Sequence, residues 1–402
     1  MNELPLQNHK GEELDLFFAL WQPPEETEVI RVDEAADRVL AEDIFSQATM
    51  PVVRASLMDG IAVNASLFAD GIPDASTWVL NSEYAWADTG DDFDDTFNAV
   101  ILRENVEFLD AGGLRFSPEL RVEPGQNIRT FGADVEKGEQ VGRQYQRLHP
   151  KDLARLLMGG HICVRVLKKP RIAVIPTGNE LVPPGMPLAR GQYTETNSIF
   201  LRESLKRLGT EPVCLPIVKD NPGALEVALN TALTMADMVI ITGGTSRGRK
   251  DLNQGMLLRR GKSLYHGRNA RQGKPVRIAL VDNKPVLNLP GPPASLYQGM
   301  EWCAQYIVCR FLHQPMPQRQ KVKAALTSDL SVPESVSSQC KMEITRNGDG
   351  TLLATPLDTR HIPAWQTLNA NGLYLAAIAG EFLPKGSEIE VELLRAVEPL
   401  VG

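Results

Sequence analysis

The sequence predicts an α/β multidomain protein: a central α/β domain with a mostly parallel sheet, an N-terminal helical linker domain, a β-rich inserted domain and a small C-terminal β domain. Three observations lead there. At 402 residues, 43% hydrophobic and 23% charged, the chain has the composition of a soluble globular protein and the length of two to four domains. From Ile172 to Phe311, short β-branched runs alternate with segments of helical period, as in a parallel sheet with crossover helices. Between residues 61 and 141, and again after 314, the text changes to short strand-like runs separated by Gly, Asp, Asn and Pro clusters. The expected domains are therefore residues 1–60 with 142–168, residues 61–141, residues 169–314 and residues 315–402.

In chain order, Leu14, Phe17, Phe18 and Trp21 fall at helical spacing and place an amphipathic helix over 11–21, ended by Pro23 and Pro24. Asp33 as N-cap, with Ala35, Ala36, Val39 and Leu40 on one face, predicts a second helix. Asp59-Gly60 taken alone is a turn before a run of strand formers. In the insertion, 78–80, 99–102 and 114–116 read as strands, and 88–95 as a solvated acidic loop without the spacing of a Ca²⁺ loop. Pro150 opens a helix carrying Leu153, Leu156 and Leu157, which Gly159-Gly160 closes. Beyond Lys168-Lys169-Pro170 come strands at 172–175, 213–218, 238–241 and 285–289. Between and after them run helices over 197–208 and 222–235 and from Pro292 or Pro293 through Phe311. Runs at 321–326, 340–345, 373–377 and 388–394 make the C-terminal β domain.

Composition also excludes function classes. A formal net charge of −8 argues against nucleic acid as the main partner. The five cysteines are scattered without a Cys-x-x-Cys pair, which fits a reducing cytoplasm, and the six histidines are dispersed, which leaves a zinc site little support. With no apolar leader and no eighteen consecutive apolar residues, neither secretion nor a membrane span is expected.

Chemistry is expected where the central strand ends. The run 238–241 stops at Thr242-Gly243-Gly244-Thr245-Ser246, where two glycines allow positive φ and close backbone approach, and two hydroxyls stand beside N–H groups. Between Arg247 and Lys274 nine Lys and Arg face one acid, Asp251. A basic run alone is a solvated face; directly after a strand and a Gly-Gly turn it favours a phosphate or oxyanion site. Asp251, a lone carboxylate among cations, is a candidate to hold Mg²⁺ or orient a group against the anion. The loops 177–180 and 289–295 also follow strands, so the loops of this sheet are expected to converge on one crevice. No Gly-x-Gly-x-x-Gly follows a strand, which disfavours a dinucleotide enzyme.

These pieces, in this order, resemble the MoeA and gephyrin-E family nearly end to end. Ala35 to Asp43 and Ser56-Leu57-Met58-Asp59-Gly60 resemble the family's grvlaedv and SAMDGyA. Thr177-Gly178-Asn179-Glu180-Leu181 resembles TGDEL, and Glu195-Thr196-Asn197 resembles YDTN. Gly243 to Asp251 resembles GGVSxGxxD, Gly273-Lys274-Pro275 the end of KPGKP, and Leu289 to Ser295 LPGNPVS.

The resemblance implies an enzyme of molybdenum cofactor biosynthesis. It would insert molybdate-derived metal into adenylylated molybdopterin, with Mg²⁺, and release AMP. It also implies a homodimer of four-domain chains whose third domain is similar to the adenylylating partner MogA. Small anionic substrates, a MogA-like adenylyltransferase and molybdoenzyme apoproteins are the implied partners. Asp59, Asp134, Glu180 and Asp251 match family carboxylates near metal and phosphates, with Asp59, Glu180 and Asp251 as the Mg²⁺ candidates. Gly243, Gly244, Thr245 and Ser246 would cradle substrate. Arg271, Lys274, Pro275 and Ser295 match the oxyanion site, completed by Lys341 and His361 of the C-terminal domain.

The chain departs from the pattern at Arg271 for the first lysine of KPGKP, at Asn179 for the aspartate of TGDEL, and at Lys341 for an arginine. TGAPLP is replaced by Thr89-Gly90-Asp91-Asp92-Phe93-Asp94. Charge is kept while donor geometry changes. Three expectations follow: turnover, a carrier that binds molybdopterin without turnover, or a scaffold that uses the fold's dimerisation for assembly.

Overall fold

A computed structural model describes residues 12–110, 112–244, 252–261, 264–268, 275–332, 339–357, 364–376, 380–395 and 397. The chain forms two compact units: Glu26–Leu167, and Met1–Glu25 together with Lys168–Gly402.

In the unit Glu26–Leu167, the strands Thr27–Arg31 and Cys163–Leu167 pair antiparallel over five residues. With the helix Pro150–Met158 they enclose a core of Val32, Leu40, Ile44, Leu148, Leu156, Val164 and Val166. A second core gathers Ile61, Val63, Phe68, Tyr84, Ile101, Leu114 and Phe116. There Gly60–Val63 is the middle strand of a three-stranded antiparallel sheet, between Tyr84–Ala87 and Ala99–Leu102. The strands at 99–102 and 114–116 appear as expected.

Two expectations are corrected in this unit. Instead of a helix after Asp33, the chain makes one 3-10 turn, Val32–Glu34, and Asp37 takes φ +61°, which no α-helix accommodates. Val39 and Leu40 then bridge to Arg147 and Val166, so tertiary pairing overrides the helical spacing of the apolar residues. The run 78–80 is not a strand: Trp78 N–H closes a turn onto the Ala75 carbonyl, its ring sits edge-on to Phe68 and Phe116, and Leu80 makes only an isolated bridge to Tyr84.

The other unit is built on a six-stranded sheet in the order Glu211–Cys214, Arg171–Pro176, Met238–Thr242, Lys284–Leu289, Pro275–Val281, Leu264–Arg268. The first four strands are mutually parallel; Pro275–Val281 runs antiparallel to Lys284–Leu289, and Leu264–Arg268 antiparallel to Pro275–Val281. Val239, Ile241 and Ala173 are buried against Leu225, Leu229 and Ala232 of the helix Pro222–Met235, which appears where its apolar period places it and which Asn221 caps. The helix Glu12–Leu20 belongs to this unit: Trp21 just beyond it stacks edge-on with Phe311 at 5.1 Å and donates Nε1–H to the Asn283 carbonyl at 3.1 Å. The expected long helix runs as Pro293–Gly299, one π-helical turn at Met300–Ala304, and Gln305–Phe311. The C-terminal segment closes into a five-stranded barrel around Ala324, Leu326, Met342, Ile344, Ala354 and Val391.

Over its described residues, the basic stretch forms mostly regular structure. It contains the helix Leu252–Arg260 and the strand Leu264–Arg268, neither anticipated. Arg259 and Arg260 lie in that helix's last turn and pair with Glu226 at 3.3 and 3.0 Å, so two of the nine cations serve helix packing. Similarly, the strand expected at 213–218 ends at Cys214.

Candidate functional site

At the carboxyl ends of three adjacent parallel strands, three loops touch one another. Thr177 N–H and Oγ1–H both donate to the Thr242 carbonyl, at 3.0 and 2.8 Å, which ties the first loop to the second. Gly243 N–H donates to the Leu289 carbonyl at 2.9 Å, which ties the second to the third. Gly243 and Gly244 have φ of +91° and +61°, and a Cβ would lie 2.7 Å from the Thr177 carbonyl at the first and 2.4 Å from Asn253 Nδ2 at the second. Only glycine fits both the backbone angle and the space. Asn197 Nδ2–H donates to the Gly291 carbonyl at 2.8 Å, while Asn197 Oδ1 and Ser198 Oγ are buried without a hydrogen-bond partner among the described residues.

Beneath the Gly-Gly turn is a buried polar layer that the sequence reading missed. Asn288 Nδ2 and Asn253 Nδ2 donate to the Gly243 carbonyl at 2.7 and 3.1 Å. Arg277, only 1% exposed, donates from Nη1 to Asn288 Oδ1 at 3.2 Å and to the Gly244 carbonyl at 3.4 Å, and from Nη2 to Gln254 Oε1 at 3.2 Å. A signal was available. Arg277 and Asn288 are polar residues inside the otherwise apolar runs 276–281 and 285–289, where a strand buried on both faces should carry none.

Lys341 reaches the third loop from the barrel strand Gln339–Arg346, donating from Nζ to the Ala294 carbonyl at 3.4 Å. Ser295, the residue after Ala294, is fully buried. Burial lowers the Lys341 ammonium below the ordinary lysine value, and the nearby Glu301 carboxylate opposes this. Burial raises the Glu301 carboxyl, against the pull of Arg319 at 3.1 Å. Glu180, exposed, folds its carboxylate over Gly178, where a Cβ would lie 2.6 Å from Oε1. Asn179, the departure from TGDEL, accepts from Asp220 N–H at 3.0 Å through Oδ1.

In the unit Glu26–Leu167, Asp59 is held by Thr89, whose N–H and Oγ1–H both donate to Oδ1 at 2.7 Å. Those hydrogen bonds, the backbone one first, hold the Asp59 carboxyl below its usual range. Gly60 next to it is obligatory, since a Cβ would lie 1.9 Å from the Ile101 carbonyl oxygen. Asp134 pairs with Arg129 at 3.2 Å. A recess of about 450 Å³ in the same unit is lined by Arg54, Asp95, Asn98, Ile128, Thr130 and Phe131 and contains none of the predicted residues.

Thr245, Ser246, Asp251, Arg271, Lys274 and His361 lie outside the described residues, and Pro275 opens the strand Pro275–Val281. Among the described residues no three His, Cys, Asp or Glu come together as metal ligands, and no helix is long and apolar enough to cross a membrane.

Residues 9–160 match the family described as MoeA N-terminal region (domain I and II), and residues 173–309 the family described as Probable molybdopterin binding domain. The chain is 34% identical over 285 residues to the molybdopterin molybdenumtransferase of Haemophilus influenzae, covering 68% of this chain and 70% of that one. It is 25% identical over 394 residues to the molybdopterin molybdenumtransferase of Bacillus subtilis, covering 93% and 91%. The solved molybdopterin biosynthesis MoeA protein from Pyrococcus horikosii superposes with a TM-score of 0.77 at 26% identity, over 96% of this chain and 99% of that one. With matches in both units and an alignment of this extent, the chain belongs to the MoeA family of molybdopterin molybdenumtransferases, enzymes of molybdenum cofactor biosynthesis.

Proposed function

We propose that this chain accepts adenylylated molybdopterin and molybdate, inserts the metal and releases AMP. The observation that supports this reading most is the meeting of Gly243-Gly244, the Gly291 turn and the barrel's Lys341 around one end of the sheet. Backbone N–H groups at a Gly-Gly turn, and an ammonium reaching Ala294 just after the Gly291 turn, suit an anionic substrate. Thr245 and Ser246 extend that cradle, and Arg271, Lys274, Pro275, Ser295, Lys341 and His361 make up the proposed oxyanion site. Asp59, Glu180 and Asp251 are hard oxygen donors of the kind Mg²⁺ takes. Among the described residues Oδ2 of Asp59 accepts no hydrogen bond, so an oxygen remains for the ion. Bound Mg²⁺ would supply charge neutralisation for the phosphates. Asp134, paired with Arg129, would orient water or substrate. We take the boundaries 1–60 with 142–168, 61–141, 169–314 and 315–402 as four domains, operating in a cytoplasmic homodimer. The substrate would come from a MogA-like adenylyltransferase and the product would pass to a molybdoenzyme apoprotein.

Incubating pure protein with adenylylated molybdopterin, Mg²⁺ and molybdate while following AMP tests the reading. Multiple turnovers are expected. Tight binding with no AMP would make the chain a carrier. Asp59→Asn and Asp251→Asn should each fold normally and lose about two orders of magnitude in AMP release.

A further inference from the structure

The peptide joining Gly243 to Gly244 is trans, so its carbonyl and its N–H point in opposite directions. Asn288 and Asn253 hold the carbonyl inward, at 2.7 and 3.1 Å, and the Gly244 N–H is therefore turned the other way. The next carbonyl, that of Gly244, is drawn to the same buried layer by Arg277 Nη1 at 3.4 Å. Arg277 in turn fixes Asn288 through Oδ1 at 3.2 Å, and Gln254 of the helix Leu252–Arg260 through Oε1 at 3.2 Å. One guanidinium thus braces the turn, the strand Lys284–Leu289 and the helix Leu252–Arg260.

Two glycines in succession carry no side chain to limit their φ and ψ, and without a brace their amides would sample many directions. A guanidinium presents donors in a fixed planar fork, whereas an ammonium is a point charge with rotating donors, so the site calls for arginine in particular. A cation enclosed behind the turn also raises the potential felt by an anion in front of it.

We propose that Arg277, acting through Asn288 and the Gly243 and Gly244 carbonyls, is a positioning residue that aims the Gly244 N–H at the phosphate-bearing end of the substrate. This rests on the reading of the Gly243-Gly244 turn as the anion cradle given above. The test compares wild type with Arg277→Met, Arg277→Lys and Gly244→Ala. For each, a thermal melt is recorded with the KM for adenylylated molybdopterin, the kcat for AMP release and the concentration of inorganic phosphate that half-inhibits. Arg277→Met should raise KM and the half-inhibiting phosphate concentration about tenfold, more than it lowers kcat. Arg277→Lys should recover part of that loss. A folded Arg277→Met with unchanged KM and phosphate inhibition, or with kcat alone reduced, overturns the proposal. If Arg277→Met does not fold, the same comparison on Arg277→Lys decides, and wild-type values there overturn it. Gly244→Ala separates the two levels: lost binding there with intact binding in the Arg277 variants refutes the brace and keeps the cradle. Intact binding in Gly244→Ala refutes both.

Discussion

Asp59 shows how little of a residue's role its neighbours in sequence reveal. Beside Gly60 it reads as a turn, and the chain does bend at 57–59 before the strand Gly60–Val63, but its carboxylate is fixed by two hydrogen bonds from Thr89, thirty residues away. These stabilise the charged form, so the Asp59 pKa is depressed. The associated stability is present above the unfolded value of about 3.9 and is lost as pH falls through the lower folded value. An NMR titration should find the Asp59 carboxyl titrating below the ordinary aspartate value. In Thr89→Val, which keeps the N–H but loses the hydroxyl, it should move part of the way back. An unshifted carboxyl in wild type would show that the Thr89 hydrogen bonds do not stabilise the charged form. Gly60→Ala should cost about 1–3 kcal/mol or more in denaturant unfolding, because backbone at Ile101 stands in the way rather than a flexible side chain.

Among elements, those whose local signals agree with their packing were legible. The helix Pro222–Met235 has an Asn cap, proline at its start and an apolar face at i, i+3, i+4, and all three act together. Asn221 Oδ1 accepts from Ala224 N–H at 3.0 Å, so Asn221→Ala should lower stability by about 0.5–2 kcal/mol in a urea titration, with ligand affinity unchanged. Elements were missed where charge masked the period. The helix Leu252–Arg260 buries Met256 and Leu257, yet its two arginines and the basic text around it read as loop. The 3-10 turn after Arg31 failed the other way: helical spacing was present, but Val39 and Leu40 found strand partners.

At the scale of the molecule, the barrel contributes to the sheet's loop end through Lys341, a contact between residues 47 positions apart that no local pattern announces. Burial depresses this ammonium. It is therefore charged only below its lowered pKa; above it the burial penalty on the charged form disappears, so rising pH relieves the fold and, at the proposed oxyanion site, should weaken anion binding. Half-saturating molybdate should rise with pH in the alkaline range, below the ordinary lysine value of about 10.4. In Lys341→Met that dependence should vanish and half-saturating molybdate at neutral pH should increase roughly ten- to hundredfold. A variant that keeps the wild-type pH profile would place the anion elsewhere. By itself the sequence determined the family, the α/β class, the strand-to-loop junctions at 177, 243 and 291 and the small β domain, because apolar period, glycine and proline act locally and in register. Only the tertiary structure decided that Arg277, Asn288 and Asn253 lie under the Gly-Gly turn and that Lys341 meets Ala294. It likewise decided that Arg259 and Arg260 are committed to Glu226. Hydrogen-bond and ion-pair partners are chosen by strand order and burial, and neither is written in the spacing of residues along one segment.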